Sequence, residues 1–230
     1  KLKPFVNITT SCPEMEIGLG VPRDPIRVVR SGSSLRLVQP ATGRDVTEDM
    51  DRFSEEFLQT LRDTDGFILK NRSPSCGIND VRVFSEGRDS RPGPRKNPGF
   101  FGRHVLERFP HAAVEDEGRL RSYAIRDHFL TSIFTFRGFR ESARSGKVRD
   151  LVDFHSRNKL LLKAYSQEKL QAMGQLLASP DRESLSRTAE LYLESLSAAL
   201  LKPASRERKV NTLSSAAGYF RKELSSEEKS

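Results

Sequence analysis

Residues 66–77 read GFILKNRSPSCG, and this stretch decides the fold class. Residues 66–70 are a short apolar run of the kind buried in parallel sheets. The residues after it cannot prolong a strand, because Pro74 has no N–H to give a ladder and Ser, Pro and Gly favour turns. The loop carries Cys76 beyond one strand before Val81-Arg82-Val83-Phe84 begins another. Upstream, Met50, Phe53, Phe57, Leu58 and Leu61 recur at helical spacing, with Asp45 or Thr47 available as cap and acids in the first turn. Asp63-Thr64-Asp65-Gly66 ends that helix. Helix and strand alternating in this way predict an α/β unit, and in open α/β sheets ligands bind outside the carboxyl ends of strands.

Working outward, residues 5–9 (FVNIT) are β-branched and aromatic and predict a strand that stops at Cys12-Pro13, so both cysteines are expected at strand ends. Residues 26–38 hold two β-rich runs around Ser31-Gly32-Ser33-Ser34, which predicts a hairpin arm with a longer loop. Residues 85–99, rich in Gly, Pro and Arg, predict an exposed basic loop, with Arg95 and Lys96 available to a phosphate backbone. Beyond Pro110 the pattern turns helical, and Ile125, Phe129, Ile133 and Phe136 form a stripe suited to burial. Arg137, Arg140, Arg144, Lys147 and Arg149 follow around Gly138 and Gly146, readable as phosphate contacts or as a solvated face. The domain boundary is expected here, giving an α/β domain over 1–146 and an all-α helical bundle over 147–230. Four helical segments are expected in the second part, over 151–165 and 169–178, from Ser179-Pro180 through Leu200, and one ending in Phe220 and Leu224. The polar tail SSEEKS at 225–230 is expected to fray.

Of the 230 residues, 36% are hydrophobic and 30% charged, which permits a modest core. Lys and Arg number 39 against 31 Asp and Glu, and the resulting +8 favours a polyanionic partner. No apolar run reaches the ~18 residues a membrane-spanning helix takes. Two cysteines are no disulfide framework, which points to a reducing, cytoplasmic compartment. The chain opens at Lys1 without a charged-then-apolar signal pattern, and a further segment is expected upstream.

Cys12 and Cys76 lack the paired spacing of a zinc site, and as residue types they suit a structural role as well as a ligand role. Their surroundings favour chemistry. Pro13, Glu14, Glu16, Gly18 and Gly20 follow Cys12, while Ser73, Pro74, Ser75 and Gly77 surround Cys76; such polar, turn-rich backbone offers N–H groups to thiolates or cluster sulfurs. Gly18-Leu19-Gly20 lacks the third glycine and the strand-to-helix context of a dinucleotide loop. His104, His111, His128 and His155 show no metal spacing. Phe100 and Phe101 are explained as core as well as by stacking on a base.

CPEMEIGLGVPRDP at 12–25 and GFILKNRSPSCG at 66–77 resemble the signature blocks of the TudS family of iron–sulfur thiouracil desulfidases. TGRD at 42–45, FFGRHVLERFP at 100–110 and EDEGRL at 115–120 fall where that family has similar segments, so the resemblance extends over residues 1–140. FHSR at 154–157, KLLLKAYS at 159–166 and the 211–224 block with Gly218-Tyr219-Phe220 resemble the YbgA-like domain that often follows a TudS domain. The fused arrangement, the RudS group, implies removal of sulfur from 4-thiouridine in tRNA, with the helical domain assisting RNA binding.

The resemblance further implies a 4Fe-4S cluster held by three cysteines, with Cys12 and Cys76 as two ligands and the third in an N-terminal Cys-Leu-Leu-Gly block expected upstream of Lys1. It also implies histidines where this chain has Asn158, Tyr165 and Ser215. On this reading Glu14, beside a ligand, is the acid or base, with Glu16 second, and Ser73 or Ser75 orients the base or the pyrimidine. For the serines, plain turn chemistry is the alternative. The expected substrate is a thiolated pyrimidine, as nucleoside or within tRNA. The competing readings are a non-catalytic RNA-binding or accessory protein derived from this fold without a cluster, and a thiol enzyme with Cys76 as nucleophile.

Overall fold

The computed structural model describes residues 2–86, 92–180 and 185–220. Two compact units divide the chain, Lys1–Arg121 and Ser122–Ser230. The first runs α1 (Pro13–Glu16), β1 (Arg27–Ser31), β2 (Ser34–Gln39), β3 (Arg44–Asp45), α2 (Thr47–Thr60), β4 (Gly66–Leu69), β5 (Val81–Ser85), β6 (Pro92–Asn97), α3 (Phe100–Arg108) and β7 (Ala113–Asp116). The second is helical, with α4 (Tyr123–Arg144), α5 (Val148–Arg157), α6 (Lys159–Tyr165), α7 (Gln167–Ala178), α8 (Leu185–Ala199) and α9 (Arg206–Phe220). An α/β part followed by an all-α part is therefore the architecture.

In the first unit β1 and β2 are antiparallel with Ser31 opposite Ser34, which leaves Gly32-Ser33 as a two-residue turn, tighter than the loop expected. Gly32 stands at φ +57°, the left-handed conformation such a turn asks of its first central residue. The hairpin is no free arm: β5 lies parallel to β1, and β3 and β6 complete a sheet of order β3-β2-β1-β5-β6. β4 and β7 form a separate parallel pair, as the apolar run at 66–69 led one to expect, but the run is not buried as a whole: Leu69 is, while Ile68 is 57% exposed.

α2 is tied to the sheet at its first residue. Asp45 Oδ1 accepts the Thr47 N–H at 2.9 Å while Thr47 Oγ1 accepts the Leu37 N–H of β2 at 2.8 Å. Its inner face carries Met50 and Leu58, which join Val28, Leu37, Val81 and Val105 in the core. Each such side chain contributes about 1.5–3 kcal/mol by leaving water. Phe53 and Phe57 of α2 stack against each other at 5.4 Å and meet Phe101 of α3 at 6.2 and 6.1 Å, which fixes α3 beside α2.

Two expectations are corrected in this unit. Residues 5–9 form no strand: Lys3–Phe5 is one 3-10 turn, and the run after it has no ladder partner among the described residues, with Phe5 and Ile8 72% and 63% exposed. A β-rich run becomes a strand only where a neighbour offers hydrogen bonds. Cys12 therefore caps α1 rather than ending a strand. The basic stretch at 85–99 contains β6, antiparallel to β5. Pro92 and Pro94 are tolerated there because β6 stands last in the strand order with a neighbour on one side only, so the ladder needs just those N–H groups that face β5. Residues 87–91 and the side chains of Arg95 and Lys96 lie outside the described residues.

In the second unit Phe136 and Phe139 of α4 pack with Leu151, Phe154, Leu162, Met173, Tyr192 and Leu196. α4 thus shares its core with the helices after it, so the compact units part at Arg121 and Ser122, upstream of residue 146. Gly146, at φ +66°, lies between two helices of one bundle. The helix expected over 151–165 is broken in two at Asn158, whose Nδ2 donates to the Phe154 carbonyl at 2.9 Å and competes with the helical ladder. Ser166 caps α7 by accepting the Lys169 N–H at 3.2 Å. Residues 181–184, Leu224 and the tail at 225–230 lie outside the described residues. Among the described residues no helix is long and apolar enough to cross a membrane.

Candidate active site

Two chain segments build the site, α1 with the turn after it and the loop that follows β4. Cys12 has extended backbone, and its carbonyl accepts the Met15 and Glu16 N–H groups at 2.9 and 3.1 Å, so the four-residue helix starts at the thiol. Glu14 sits in the first turn, its side chain only 15% exposed. The loop residues 73–77 are folded on Ser73, whose Oγ accepts the Ser75 and Cys76 N–H groups at 3.2 and 3.0 Å and whose carbonyl accepts the Gly77 N–H at 2.8 Å. This is a serine turn, and it aims Cys76.

The loop is held from behind by α3. A helix leaves its first N–H groups without partners, and here Phe100 N–H donates to the Pro74 carbonyl at 3.1 Å and Gly102 N–H to the Ser75 carbonyl at 3.0 Å. The approach is close enough to require glycine: a Cβ on Gly99 would lie 2.4 Å from the Ser75 carbonyl oxygen, and one on Gly102 2.5 Å from that of Gly77. Arg72, just ahead of the loop, takes the left-handed region at φ +56°, its N–H donating to both Asp80 carboxylate oxygens at 3.1 Å. The end of β7 closes the other side. Glu117 pairs with Lys70 and accepts the Asn71 N–H at 2.9 Å, while Asp116 Oδ1 accepts the Arg119 N–H at 2.7 Å.

The two segments meet at Glu14. Ser75, fully buried, donates its hydroxyl to Glu14 Oε1 at 3.0 Å across 61 positions of sequence, and Ser73 Oγ lies 3.5 Å from the same oxygen. Arg23 Nε donates to Glu14 Oε2 at 2.7 Å, and Arg23 Nη2 lies 3.7 Å from Cys12 Sγ. Burial pushes the Cys76 thiol up to about 11, with the charges of Glu14 and Cys12 adding to the rise and bonds from Ser73 and the Lys70 N–H opposing it. Burial disfavours the charge on Arg23, yet its contacts with Glu14 and Cys12 together outweigh that, and the guanidinium is held more firmly protonated than usual.

Cys12, Cys76, Glu14, Ser73 and Ser75 are thus brought together, while the exposed Glu16 takes no part in the network. Arg23 is the member that sequence reasoning missed. Its signal was an arginine in a Gly- and Pro-rich turn nine positions after Glu14, one that a charge count treats as surface. Three of the four histidines have other work: His104 bonds Asp51 at 2.8 Å, His128 bonds Tyr165 at 3.0 Å and His155 bonds Tyr192 at 3.0 Å. Tyr165 is one of the three positions where a histidine was expected. At the others, Asn158 splits a helix and Ser215 accepts from Lys163 at 2.7 Å. Arg137, in the basic stretch, is paired with Glu141 at 2.7 Å.

Two cysteine sulfurs, one beside the Arg23 guanidinium and one on a serine turn, are donors of the kind an iron–sulfur group takes. In number this sequence supplies two, and among the described residues no group of three or more His, Cys, Asp or Glu could hold a metal ion. Comparison with known proteins gives the class. The family model described as 2-thiouracil desulfurase matches residues 1–117, and one described as a protein of unknown function, DUF1722, matches 159–230. The chain belongs to the 2-thiouracil desulfurase family. Among solved structures, a [4Fe-4S]-dependent thiouracil desulfidase, TudS, is 32% identical over 48% of this chain and 67% of that one, with a TM-score of 0.32. No curated protein matches.

Proposed function

We propose that this chain is a desulfidase of a thiolated pyrimidine, with 4-thiouridine in tRNA as its substrate and Cys12 and Cys76 as two ligands of a 4Fe-4S cluster. The observation that supports it best is the convergence of both cysteines on one half-buried carboxylate, within the segment that carries the family match. Bound there, such a cluster supplies a soft Lewis acid for a thiocarbonyl sulfur. The chain's own residues supply the rest. Glu14 takes a proton from the water whose oxygen replaces sulfur at the ring carbon, so that thiocarbonyl and water become carbonyl and hydrogen sulfide. Oε1 is held by Ser75, with Ser73 donating to it at 3.5 Å, and Oε2 by Arg23 alone, so Oε2 keeps a lone pair for that proton. Ser73 orients the loop that carries Cys76. The net charge of +8 supports a nucleic-acid substrate, and Lys147 and Arg149 are exposed cations available to phosphate.

A second reading is a cluster-free RNA-binding or accessory protein, and it is favoured in that no group of three or more His, Cys, Asp or Glu among the described residues could hold a metal ion. One experiment decides between them. The full-length protein, expressed without oxygen, is assayed for iron, for sulfide and for sulfur loss from thiouracil, 4-thiouridine and thiolated tRNA, beside Cys12→Ala and Cys76→Ala. About four irons per chain, with desulfidation lost in both variants, is the expected result. A folded protein without iron or activity, whose RNA affinity falls with salt, establishes the second reading.

A further inference from the structure

Gly18-Leu19-Gly20, which has no phosphate-cradling context, makes sense through what it delivers. The Gly18 N–H donates to the Met15 carbonyl at 3.0 Å and the Leu19 N–H to the Glu14 carbonyl at 3.1 Å, closing α1. Gly18 and Gly20 then take φ +78° and +70°, values a side chain would reach only with strain, and the chain turns back on itself. The turn returns Arg23 to the helix it has just left. There three different nitrogens have three partners: Nε donates to Glu14 Oε2 at 2.7 Å, Nη1 to the Gly20 carbonyl at 2.8 Å, and Nη2 reaches Cys12 Sγ at 3.7 Å.

We propose that Arg23 is a positioning residue of the desulfidation site, fixing the Glu14 carboxylate and the Cys12 sulfur relative to one another. The inference rests on the desulfidase reading above. A carboxylate on a one-turn helix is free to rotate unless both oxygens are held. Ser75 holds one from the loop after β4, and Arg23 holds the other from the opposite side. The Gly20 carbonyl anchors the guanidinium by a bond that owes nothing to Glu14, so the fork is pre-set before any substrate arrives. Lysine cannot substitute, because a single ammonium on a flexible stem has no rigid fork with which to meet three partners in three directions.

The test compares Arg23→Lys, Arg23→Met, Glu14→Gln and the double variant Arg23→Met/Glu14→Gln in the full-length, iron-loaded protein, with 4-thiouridine as substrate. Both Arg23 variants should lose kcat by about 100-fold with KM within about twofold, at unchanged iron content and unfolding midpoint. Because Arg23 acts through Glu14, Arg23→Met should cost little more once Glu14→Gln is present. Parent-like kcat in Arg23→Lys, or losses that multiply in the double variant, overturns the assignment. A second readout is independent of turnover: the Arg23 Nε–H resonance should be protected from exchange in the parent and lose that protection in Glu14→Gln, and an unprotected parent resonance overturns the proposal. A parent that releases no sulfide refutes the desulfidase reading instead, and the Nε–H resonance alone then decides whether Arg23 holds Glu14.

Discussion

Gly102→Ala sets two physical effects of opposite sign against each other. Gly102 lies inside α3, where alanine favours the helix by about 1 kcal/mol. Its Cβ, however, would meet the Gly77 carbonyl oxygen at 2.5 Å and the Cys76 carbonyl oxygen at 3.1 Å, both of them backbone atoms. Ordinary contact begins at 3.4 Å, so the loop must retreat by about 0.9 Å. A retreat of that size breaks the 2.7 Å bond from Gly99 N–H to the Gly77 carbonyl and the 3.0 Å bond from Gly102 N–H to the Ser75 carbonyl. Two lost hydrogen bonds at about 1 kcal/mol each, plus about 1–3 kcal/mol of overpacking strain, exceed the helical gain, and the net cost is about 2–4 kcal/mol. Gly218→Ala is the control. Gly218 lies inside α9 with nothing within 4 Å of its would-be Cβ, so there the helical gain stands alone. Urea denaturation, with hydrogen exchange at the α3 and α9 amides, should show opposite signs for the two variants. A Gly102→Ala protein as stable as Gly218→Ala would refute the account of how the cysteine loop is held.

Two further outcomes come from the shifted groups. The rise of the Cys76 thiol from 9.0 to about 11 leaves about 100-fold less thiolate at mildly alkaline pH, and because the more basic thiolate is the better nucleophile, metal-free protein should alkylate at Cys76 about 10-fold more slowly than an unhindered thiol; equal rates would refute the burial argument. Burial raises the Asp45 carboxyl, but the Thr47 hydrogen bonds and the Arg36 ion pair more than reverse this, leaving it below its ordinary 3.8. A depressed folded value means stability that is fully present above 3.8 and lost as pH falls through the lower folded value. Asp45→Asn should therefore be less stable than the parent near neutrality and converge with it in strong acid. A difference that stays constant across that range would count against the Thr47 and Arg36 contacts.

What the sequence showed plainly was whatever a few consecutive residues decide. Met50 and Leu58 place the inner face of α2, the Ser31 to Ser34 turn joins β1 to β2, and the run at 66–69 supplies a parallel strand. What stayed hidden depends on a distant partner. The FVNIT run has strand composition and no neighbour, whereas Pro92 and Pro94 look like loop and sit in a strand because β5 pairs with it. The break at Gly146 looked like a domain boundary because Phe139 and Leu151, on either side of it, give no sign in the sequence that they share a core. Around Glu14 the structure brings together Cys12, Cys76, Ser73 and Ser75, which were singled out by their surroundings and their resemblance to a family. Arg23, Gly99 and Gly102 could not be singled out that way: Arg23 meets Glu14 at 2.7 Å only because the chain turns back on itself, and Gly99 and Gly102 matter through approaches of 2.4 and 2.5 Å to a loop far along the chain.

The two ends of the five-stranded sheet bear on how the molecule behaves in a crowd of its own copies. A sheet edge with a full row of N–H and C=O groups invites a second copy to continue the ladder. At one end stands β3, only 2 residues long, too short to template a neighbour. At the other stands β6, where Pro92 and Pro94 remove two of the donors that its 6 residues would otherwise carry. One edge is blunted by length and the other by chemistry, so concentrated protein should resist association through this sheet, and replacing the two prolines with β-branched residues would open a route to aggregation.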